Sequence, residues 1–334
     1  MSTKESVLAL LESGRGQSLS GAVIARQLGV TRNAVWKAVK ELEKEGYAIQ
    51  AVPNKGYCLC EENDILSVQG ILPFLREKEL AGKIFVYPSL ESTNKTAKEM
   101  AIAGAGHGTV VIADSQTAGK GRYGRGFFAP PGRGVYMSLI LKPLRRWLEV
   151  PTLVTAFAAV SVCRAIEAAT GKQPQIKWVN DLYLAGKKIC GILTQAVTDF
   201  ESGGIQWIVV GVGVNLSIPE REFPPELRPI AGSIFPEGNP TAARNRLAAE
   251  IANNLLTLEG DDGRQAILTE YKKRLMMLGE SVAVTTPRDS YQATAVDVDD
   301  TGRLIVRKKD GQTLALSAGE ISIRLQPESS TGFR

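Results

Sequence analysis

The pattern of apolar and polar positions divides the chain into three stretches. Residues 1–60 show apolar positions at helical spacing followed by a short strand-like run. Residues 65–275 mix apolar strand-like runs with helical ones, and residues 279–325 show short alternating strands separated by turn sequences such as DDTG and KKDG. The pattern predicts a multidomain protein of the α/β (α+β) class, with domain boundaries near residues 64 and 275.

The first stretch has the spacing of a helix-turn-helix. In GAVIARQLGVTRNAVWKAVKELEKEGY, the small Ala25 lets two helices cross closely, Gly29 makes the turn and Val35 fills the joint. The following YAIQAVPNKGYCL predicts two short strands around a turn, which is a wing with Lys55 near its tip. This pattern predicts contact with DNA phosphates and base edges, and the alternative is a three-helix packing module whose lysines are only solvated. The candidate DNA-binding residues are Thr31, Arg32, Asn33, Lys37, Lys40 and Lys55.

The glycines of GKGRYGRG at 119–126 match the G-x-G-x-x-G pattern of a dinucleotide-binding turn. That turn requires a helix after the glycines, because the helix N-terminus holds the pyrophosphate. Here two consecutive prolines and a strand-like run follow, and no acidic residue suited to a ribose comes about 20 positions later. The sequence instead predicts a flexible loop in which Lys120, Arg122 and Arg125 neutralise a phosphate or carboxylate. The alternative is a solvated basic hairpin.

Polar residues also recur inside an apolar segment downstream. QIKWVNDLYLAGKKICGIL, residues 175–193, predicts one strand, a tight turn at 184–186 and a second strand. A lysine in such surroundings needs an anionic partner, and Asp181 can pair with Lys177 or Lys188 but cannot satisfy both. The remaining partner is another protein group or a ligand.

Two further motifs place hydroxyl and amide groups at the ends of elements. SLESTNKTAKEMA puts Ser92, Thr93 and Asn94 where a helix begins, and the alternative there is a plain helix cap. IQWIVVGVGVNLSIP predicts a buried strand with Asn215 at its exit.

Composition narrows the chemistry that these residues can perform. The 334 residues include 44% hydrophobic and 22% charged residues, and the formal net charge of +5 permits a polyanionic partner without requiring one. The single histidine, His107, argues against the common zinc sites and against most Ser-His or Cys-His catalysis. The four cysteines form no C-x-x-C pair and lie in apolar runs, so we interpret them as reduced core thiols.

The N-terminal segment and the most apolar long segment indicate the cellular compartment of the protein. The start, MSTKESVLALLESGRG, is charged and helical in pattern, unlike a signal peptide. The apolar run VPTLVTAFAAVSVCRAIEAATG contains Arg164 and Glu167, so it predicts a buried helix ending at Gly171 rather than a membrane span. We expect a cytoplasmic protein with no membrane partner.

The motifs ESTN, GKGRYGR, KWVNDLY…GKKICGIL and GVGVNL, in this order after a winged helix-turn-helix, resemble the biotin–protein ligases of the bifunctional type that also represses the biotin operon. The similarity covers almost the whole chain and is specific because the motifs occur as an ordered set. It implies a winged helix-turn-helix DNA-binding domain at 1–64, a central mixed-sheet biotin and ATP domain at 65–275, and a C-terminal SH3-like β-barrel at 276–327.

The resemblance also implies roles for single residues. The implied biotin-binding residues are Ser92, Thr93, Asn94, Gln116, Lys120, Gly121, Arg122 and Lys188. The implied nucleotide-binding residues are Arg122, Arg125, Phe127, Lys177, Asn180 and Asn215, with Phe128 in the same neighbourhood. The implied catalytic residues are Lys188, Arg122, Lys120 and Asp181. Asp181 would orient Lys188 or help an incoming amine, and a purely structural role is the alternative.

The implied reaction has two steps. Biotin and ATP, with Mg²⁺ on the phosphates, give biotinyl-5′-adenylate, and a lysine of a biotin carboxyl carrier protein, a subunit of acetyl-CoA carboxylase, then takes the biotinyl group. The resemblance further implies binding to biotin operator DNA as a homodimer that forms when the adenylate binds. No residue for a metal ion can be assigned from the sequence.

The sequence departs from the family pattern at four positions of the implied site. The family commonly has proline at the place of Val179, arginine at Lys120 and Tyr123, and tryptophan near Phe127. Lysine at 120 keeps the charge but loses the planar two-pronged contact of arginine. Two other functions stay open: a lipoate- or octanoate-handling ligase, and a DNA-binding regulator that senses biotin without catalysis.

Overall fold

The computed structural model describes residues 1–143, 150–198, 203–238, 243–257, 264–285, 289–317 and 320–323. Within these residues the strands form a two-stranded, a seven-stranded and a five-stranded sheet, in that order along the chain. The multidomain α/β (α+β) architecture is confirmed. The elements that follow are named in chain order.

The N-terminal region is a winged helix-turn-helix. Its elements are α1 (Thr3–Ser13), α2 (Gly21–Leu28), α3 (Arg32–Lys44), β1 (Ile49–Val52) and β2 (Gly56–Leu59). Gly29 ends α2 with a φ of 65°, a left-handed conformation that glycine adopts without steric cost. Ala25 and Val35 are buried in the joint between the two helices, and β1 and β2 pair antiparallel as the wing. The predicted spacing and the predicted hairpin are both confirmed.

The central region is built around the seven-stranded sheet. Its elements are α4 (Val68–Ile71), β3 (Ile84–Tyr87), α5 (Thr93–Ile102), β4 (Val110–Ala113), β5 (Gly134–Leu141), α6 (Pro151–Thr170), β6 (Gln175–Lys177), β7 (Asp181–Leu184), β8 (Lys187–Thr198), β9 (Ile205–Asn215), α7 (Ala243–Leu256) and α8 (Arg264–Arg274). The strand order is β3-β4-β5-β9-β8-β7-β6. The β3–β4 pair is parallel and the other pairs are antiparallel, so the sheet is mixed, as predicted.

Helix α6 forms the centre of the largest hydrophobic core. Pro151 occupies its first turn and Gly171, with a φ of 71°, caps its end, in agreement with the predicted end. Among the described residues it is the one helix long and apolar enough to cross a bilayer, but 72% of its most apolar window is buried inside the protein. It packs against α7, α8 and β8. The expectation of a buried core helix is confirmed.

The expectation of one strand from residue 175 to the turn at 184–186 is wrong. The chain folds back at Trp178–Asn180, and β6 and β7 pair antiparallel, with Lys177 opposite Asp181. The peptide bond between Trp178 and Val179 is cis. Asn180 bonds to the neighbouring strand β8. Its side-chain Nδ2 donates to the Ile192 carbonyl at 3.0 Å, and its backbone carbonyl accepts from the Ile192 amide at 2.9 Å. No glycine or proline marks this turn, so the sequence pattern could not reveal it.

The C-terminal region forms the five-stranded antiparallel sheet. Its strands are β10 (Ser281–Thr285), β11 (Ser290–Val298), β12 (Leu304–Lys308), β13 (Thr313–Leu316) and β14 (Glu320–Ile323), in the order β13-β12-β11-β10-β14. Its apolar face belongs to the same buried cluster as α6. Two hydrogen bonds add to this packing: Trp178 Nε1 donates to the Gly302 carbonyl at 3.0 Å, and Thr152 Oγ1 donates to the Thr301 carbonyl at 2.7 Å.

A buried arginine joins the first two regions. Arg244, which is 3% exposed, donates to the Gly134 carbonyl at 2.9 Å and to the Asp64 carbonyl at 3.2 Å, and it forms an ion pair with Asp114. Asp64 lies in the segment that follows the wing, whereas Asp114 and Gly134 stand at the two ends of the segment that contains the glycine loop. The linker after the wing and the two ends of the glycine-loop segment are therefore bound by the same side chain, that of Arg244.

The four cysteines are free, as predicted. Cys163 and Cys190 are buried, and burial raises the pKa of the Cys190 thiol well above its ordinary value, so this thiol stays protonated and unreactive. The interpretation as core residues is wrong for Cys58 and Cys60, which are partly exposed because they lie on the wing strand and just after it.

We expect Phe157→Ala to lower the free energy of unfolding by about 3–5 kcal/mol, because Phe157 in α6 is 0% exposed and its removal leaves a cavity. Urea titration followed by circular dichroism measures this loss. The control is Ile102→Ala at the end of α5, where the side chain is 73% exposed, and it should change stability by less than about 0.5 kcal/mol. Equal losses in both variants would contradict the assignment of α6 to the core.

Candidate active site

A cavity of about 280 Å³ opens between the glycine loop, strands β6 to β9 and the segment 223–231. It brings together most of the residues that the sequence singled out. Those that line it are Lys120, Gly121, Arg122, Arg125, Phe127, Phe128, Lys177, Asn180, Asp181, Lys188 and Asn215. Five of the lining residues are cations (Lys120, Arg122, Arg125, Lys177 and Lys188) and one, Asp181, is a carboxylate. The cavity is therefore suited to an anionic ligand.

The glycine loop folds into a narrow hairpin over this cavity. Gly121 donates its amide to the Arg125 carbonyl at 2.7 Å, and Phe127 donates to the Gly119 carbonyl at 2.8 Å. Tyr123 occupies the tip with a φ of 55°, a left-handed conformation that is uncommon for a residue with a side chain. The hairpin excludes the helix that a dinucleotide-binding turn would need, as predicted.

Arg122 is aimed across the cavity by its neighbours. Its Nη1 donates to Asn180 Oδ1 at 3.2 Å, and its guanidinium lies 5.1 Å from the centre of the Tyr123 ring. A cation above an aromatic face is electrostatically favourable. Tyr123, one of the departures from the family pattern, thus supports the arginine beside it.

Lys188 and Asp181 form an ion pair across strands β7 and β8, with Nζ 2.7 Å from Oδ1. The backbone of Lys188 is fixed by Ile230, whose carbonyl accepts from the Lys188 amide at 2.8 Å, and by Gly232, whose amide donates back at 2.9 Å. Lys177 Nζ lies 5.6 Å from the centre of the Tyr183 ring, a cation–π contact. Burial raises the pKa of Tyr183 to about 12, so that ring stays neutral at physiological pH. The expectation that Asp181 pairs with one of the two lysines is confirmed.

The hydroxyl and amide residues Thr93, Asn94 and Gln116 form a second, polar cluster. Gln116 Oε1 accepts from the Thr93 amide at 2.8 Å. Ser138 on β5 donates to Asn94 Oδ1 at 2.6 Å, and Asn94 Nδ2 donates to Gln195 Oε1 on β8 at 3.0 Å. Ser138 and Gln195 were missed from the sequence, because one polar residue in an apolar strand run carries no signal of its own.

Ser92 stands at the N-cap position of α5 and is 4% exposed, but its side chain caps no backbone amide there. The alternative reading of this motif as a plain helix cap is therefore wrong. The buried hydroxyl is positioned beside the polar cluster, where α5 begins.

Phe127 separates the polar cluster from the cationic cavity. A Cβ on Gly213 would lie 2.5 Å from the tip of its ring, and a Cβ on Gly191 would lie 3.4 Å from its edge. The ring also makes an edge contact with Tyr136, with the centroids 6.2 Å apart. Ser92, Thr93, Asn94 and Gln116 consequently do not line the cavity that contains Lys188.

Asn215 offers an acceptor without a protein partner. The residue is 5% exposed, its Nδ2 donates to the Gly232 carbonyl at 3.0 Å, and its buried Oδ1 accepts no hydrogen bond from the described residues. Buried polar atoms are nearly always paired in proteins, so this oxygen is available to a ligand donor.

The opposite wall of the cavity is apolar and was not predicted. Phe223, Leu227 and Ile230 supply it, and Phe128 packs on Phe223 with ring centroids 5.9 Å apart. Ile230 is 55% exposed and lies at the mouth. The local sequence of this loop does not distinguish these residues from ordinary apolar residues that hold a surface loop against the core.

The candidate DNA-binding residues lie on the outer face of α3 and on the wing. Arg32, Asn33, Lys37 and Lys55 are exposed. Thr31 uses its hydroxyl to cap α3, accepting from the Ala34 amide at 3.2 Å, and Lys40 is paired with Glu43 at 2.6 Å. This face is therefore basic and outward-facing, but Thr31 and Lys40 already have partners within the helix.

The comparison with family models defines the class of the protein. A model of the biotin/lipoate A/B protein ligase family matches residues 86–215, an HTH domain model matches residues 3–58, and a model of the biotin protein ligase C terminal domain matches residues 277–324. The central fold and its cationic cavity thus belong to a protein ligase of the biotin and lipoate type, preceded by a helix-turn-helix.

Relatives along the whole chain identify the family more closely. The bifunctional ligase/repressor BirA of Bacillus spizizenii is 35% identical over 315 residues, which covers 92% of this chain and 95% of that protein. The protein of the same name from Escherichia coli is 27% identical and covers 95% of this chain and 96% of its own length. The chain belongs to the family of bifunctional ligase/repressor proteins, which confirms the resemblance.

A solved structure supports the fold of the catalytic part. The biotin protein ligase from Aquifex aeolicus in complex with biotin and ATP superposes with a TM-score of 0.60 at 24% sequence identity. The match covers 72% of this chain and 98% of that chain.

We expect Gly211→Ala to destabilise the protein by about 1–3 kcal/mol, because the new Cβ would lie 2.0 Å from Asn94 Oδ1 and break up the polar cluster. Gly106→Ala is the matched control, since a Cβ there meets nothing within 4 Å. Urea midpoints of both variants measure the difference. A Gly211→Ala protein as stable as the control would contradict the packing of Asn94 against β9.

Proposed function

We propose that this protein is an ATP-dependent ligase that activates biotin to biotinyl-5′-adenylate and transfers it to a lysine of a biotin carboxyl carrier protein. The observation that carries the proposal is the convergence of five cations on one cavity, with Lys188 held at 2.7 Å from Asp181. Membership of the ligase/repressor family supports it.

The first step brings two anions together, so its main barrier is electrostatic. The biotin carboxylate attacks the α-phosphate of ATP and pyrophosphate leaves. Lys188, Lys120 and Arg122 would offset the repulsion and the charge that develops on the leaving pyrophosphate. Holding both substrates in line contributes further, by up to about 7–11 kcal/mol for well-oriented reactants.

In the second step the lysine amine of the acceptor attacks the mixed anhydride and AMP leaves. The anhydride hydrolyses readily, and the hairpin over the cavity would exclude water from it. Asp181 already pairs with Lys188, so we assign it the role of orienting that amine. Asn215 Oδ1, buried and free to accept, is assigned to the nucleotide.

Mg²⁺ would enter with ATP, as part of the substrate. Mg²⁺ is usually bound through substrate phosphates with one or two carboxylates and several waters. Asp181 is the one carboxylate that lines the cavity in the described part of the chain, so the residues present fit an ion held mainly by phosphate oxygens. The ion would add to the charge compensation that the lysines and arginines provide.

The polar cluster favours biotin over lipoate or octanoate. Thr93, Asn94, Gln116 and the neighbouring Ser92 offer both donors and acceptors, which suits the fused ureido ring of biotin. An aliphatic chain or a dithiolane has no donor or acceptor to exchange hydrogen bonds with these groups, whereas the ureido ring has both. A regulator that only sensed biotin would have no use for so many cations at the carboxylate end.

We expect Lys188→Ala to lower pyrophosphate release from ATP and biotin by a factor of about 10² or more, because it removes the amine nearest to the reacting anions. The matched control is Lys187→Ala. Lys187 is the residue just before Lys188 in β8. Its Nζ donates to the Arg228 carbonyl at 2.5 Å, and the residue does not line the cavity. The control should keep most of the activity, and lipoate in place of biotin should release none. Full turnover by Lys188→Ala would show that the assignment is wrong.

We also propose that the protein represses biotin synthesis genes when biotinyl-adenylate is bound. A homodimer would present two copies of α3 and of the wing to a symmetric operator. If the adenylate orders the catalytic region, a second subunit has less ordering entropy to lose on docking, so ligand and dimer favour each other.

We propose further that the C-terminal sheet closes as an SH3-like β-barrel, that the three domains divide near residues 64 and 275, and that the protein works in the cytoplasm.

We expect Lys37→Ala to weaken binding to a biotin-gene promoter duplex and to reduce the slope of log affinity against log salt by about 1, because one phosphate contact is lost. Gel shifts at several salt concentrations, with and without biotin and ATP, measure both quantities. The control is Lys172→Ala, an exposed lysine remote in sequence from the helix-turn-helix. Identical DNA binding with and without the ligands would rule out the regulatory proposal.

A further inference from the structure

The ring of Phe127 lies in the space between the groups assigned to the two ends of biotin. A Cβ placed on Gly119 would be 3.1 Å from Gln116 Nε2 and 2.7 Å from the Phe127 carbonyl oxygen. A Cβ placed on Gly191 would be 3.4 Å from the Phe127 ring and 3.5 Å from Lys188 Nζ. Phe127 therefore extends from the amide of Gln116 to the amine of Lys188.

The floor beneath the ring consists of bare backbone. Gly191 on β8 and Gly213 on β9 pair with each other across the two strands. The ring fills the room that their missing side chains leave, since a Cβ on Gly213 would lie 2.5 Å from the Phe127 Cζ atom. A flat slot of this kind, with hydroxyl and amide groups at one end and an ammonium group at the other, matches a bicyclic ring that carries a carboxylate chain.

We propose that Phe127 closes the biotin slot in the ligand-free protein and that its ring must leave before biotin can bind. The inference rests on the proposed function, because that function assigns the two ends of the slot to biotin. The backbone provides for the movement: Phe127 follows Gly126, where a Cβ would meet nothing within 4 Å, and its amide is held by a single hydrogen bond to Gly119.

The closed slot has a kinetic and an equilibrium consequence. When only a fraction of the molecules is open, the apparent dissociation constant is the intrinsic one divided by that fraction. The observed rate of biotin binding then levels off at the opening rate as the biotin concentration rises. A ring that merely forms a wall of the bound state predicts the opposite, because its removal would weaken binding.

The test is biotin binding to full-length Phe127→Ala without ATP. Stopped-flow tryptophan fluorescence gives the rate, with Trp178 lining the cavity as the reporter, and calorimetry gives the dissociation constant. We expect association about tenfold faster than in the wild type, a lower dissociation constant, and a rate that rises linearly with biotin concentration where the wild-type rate levels off. Phe127→Leu, which keeps an apolar side chain, should show a smaller change in the same direction and serves if the alanine variant does not fold.

The matched control is Phe85→Ala. Phe85 on β3 is 40% exposed and does not line the cavity, so this variant should not accelerate association. Association by Phe127→Ala that is unchanged or slower, or acceleration of equal size in the control, overturns the closed slot while leaving the proposed function intact. Failure of both the wild type and Phe127→Ala to bind biotin overturns the proposed function, and the closed slot with it.

Discussion

The concentration of positive charge around Lys188 is the constraint on which the rest of the site depends. Like charges in one cavity repel, and three of the five cations have a nearby group that limits the cost: Asp181 for Lys188, Asn180 and Tyr123 for Arg122, and Tyr183 for Lys177. These partners are weaker than a phosphate group would be. Under the proposed function, a polyanionic substrate would compensate these charges further, and its binding free energy would be available for bringing the two reactants together.

The fold supplies the rigid frame that such a site needs. Strands β8 and β9 run side by side through the centre of the seven-stranded sheet, so Lys188, Gly191, Gly213 and Asn215 keep fixed positions relative to one another. The glycine loop lies over this frame and contacts it through Arg122, which bonds to Asn180, and through Phe127, which packs on Gly191 and Gly213. Arg244 fixes both ends and also bonds to Asp64 in the linker after the wing. The segment that contains the glycine loop and the linker after the wing are thus bound by the same buried guanidinium group.

Several parts of the molecule were accessible from local pattern because the signal and its physical cause lie within a few residues. The small residue, the glycine and the branched residue at positions 25, 29 and 35 each satisfy a local steric requirement of the helix-turn-helix. The end of α6 at Gly171 and the tight turn at 184–186 follow from positive backbone angles of the same local kind. The turn at 178–180 that joins β6 to β7 had no such marker in the sequence, because the hydrogen bonds of Asn180 come from β8. One long strand was therefore the expected structure, and that expectation was wrong.

The sequence by itself determined the identities of the chemical groups, the order of the elements and the family, because motifs and periodicity are properties of the chain. Only the tertiary structure decided which groups meet. It separated the polar cluster from the cationic cavity by one phenylalanine ring, and it recruited Ser138, Gln195 and the apolar wall at 223–231. The physical reason is that strands far apart in sequence become neighbours in the sheet, so contacts across β5, β8 and β9 are set by strand pairing and side-chain packing rather than by spacing along the chain.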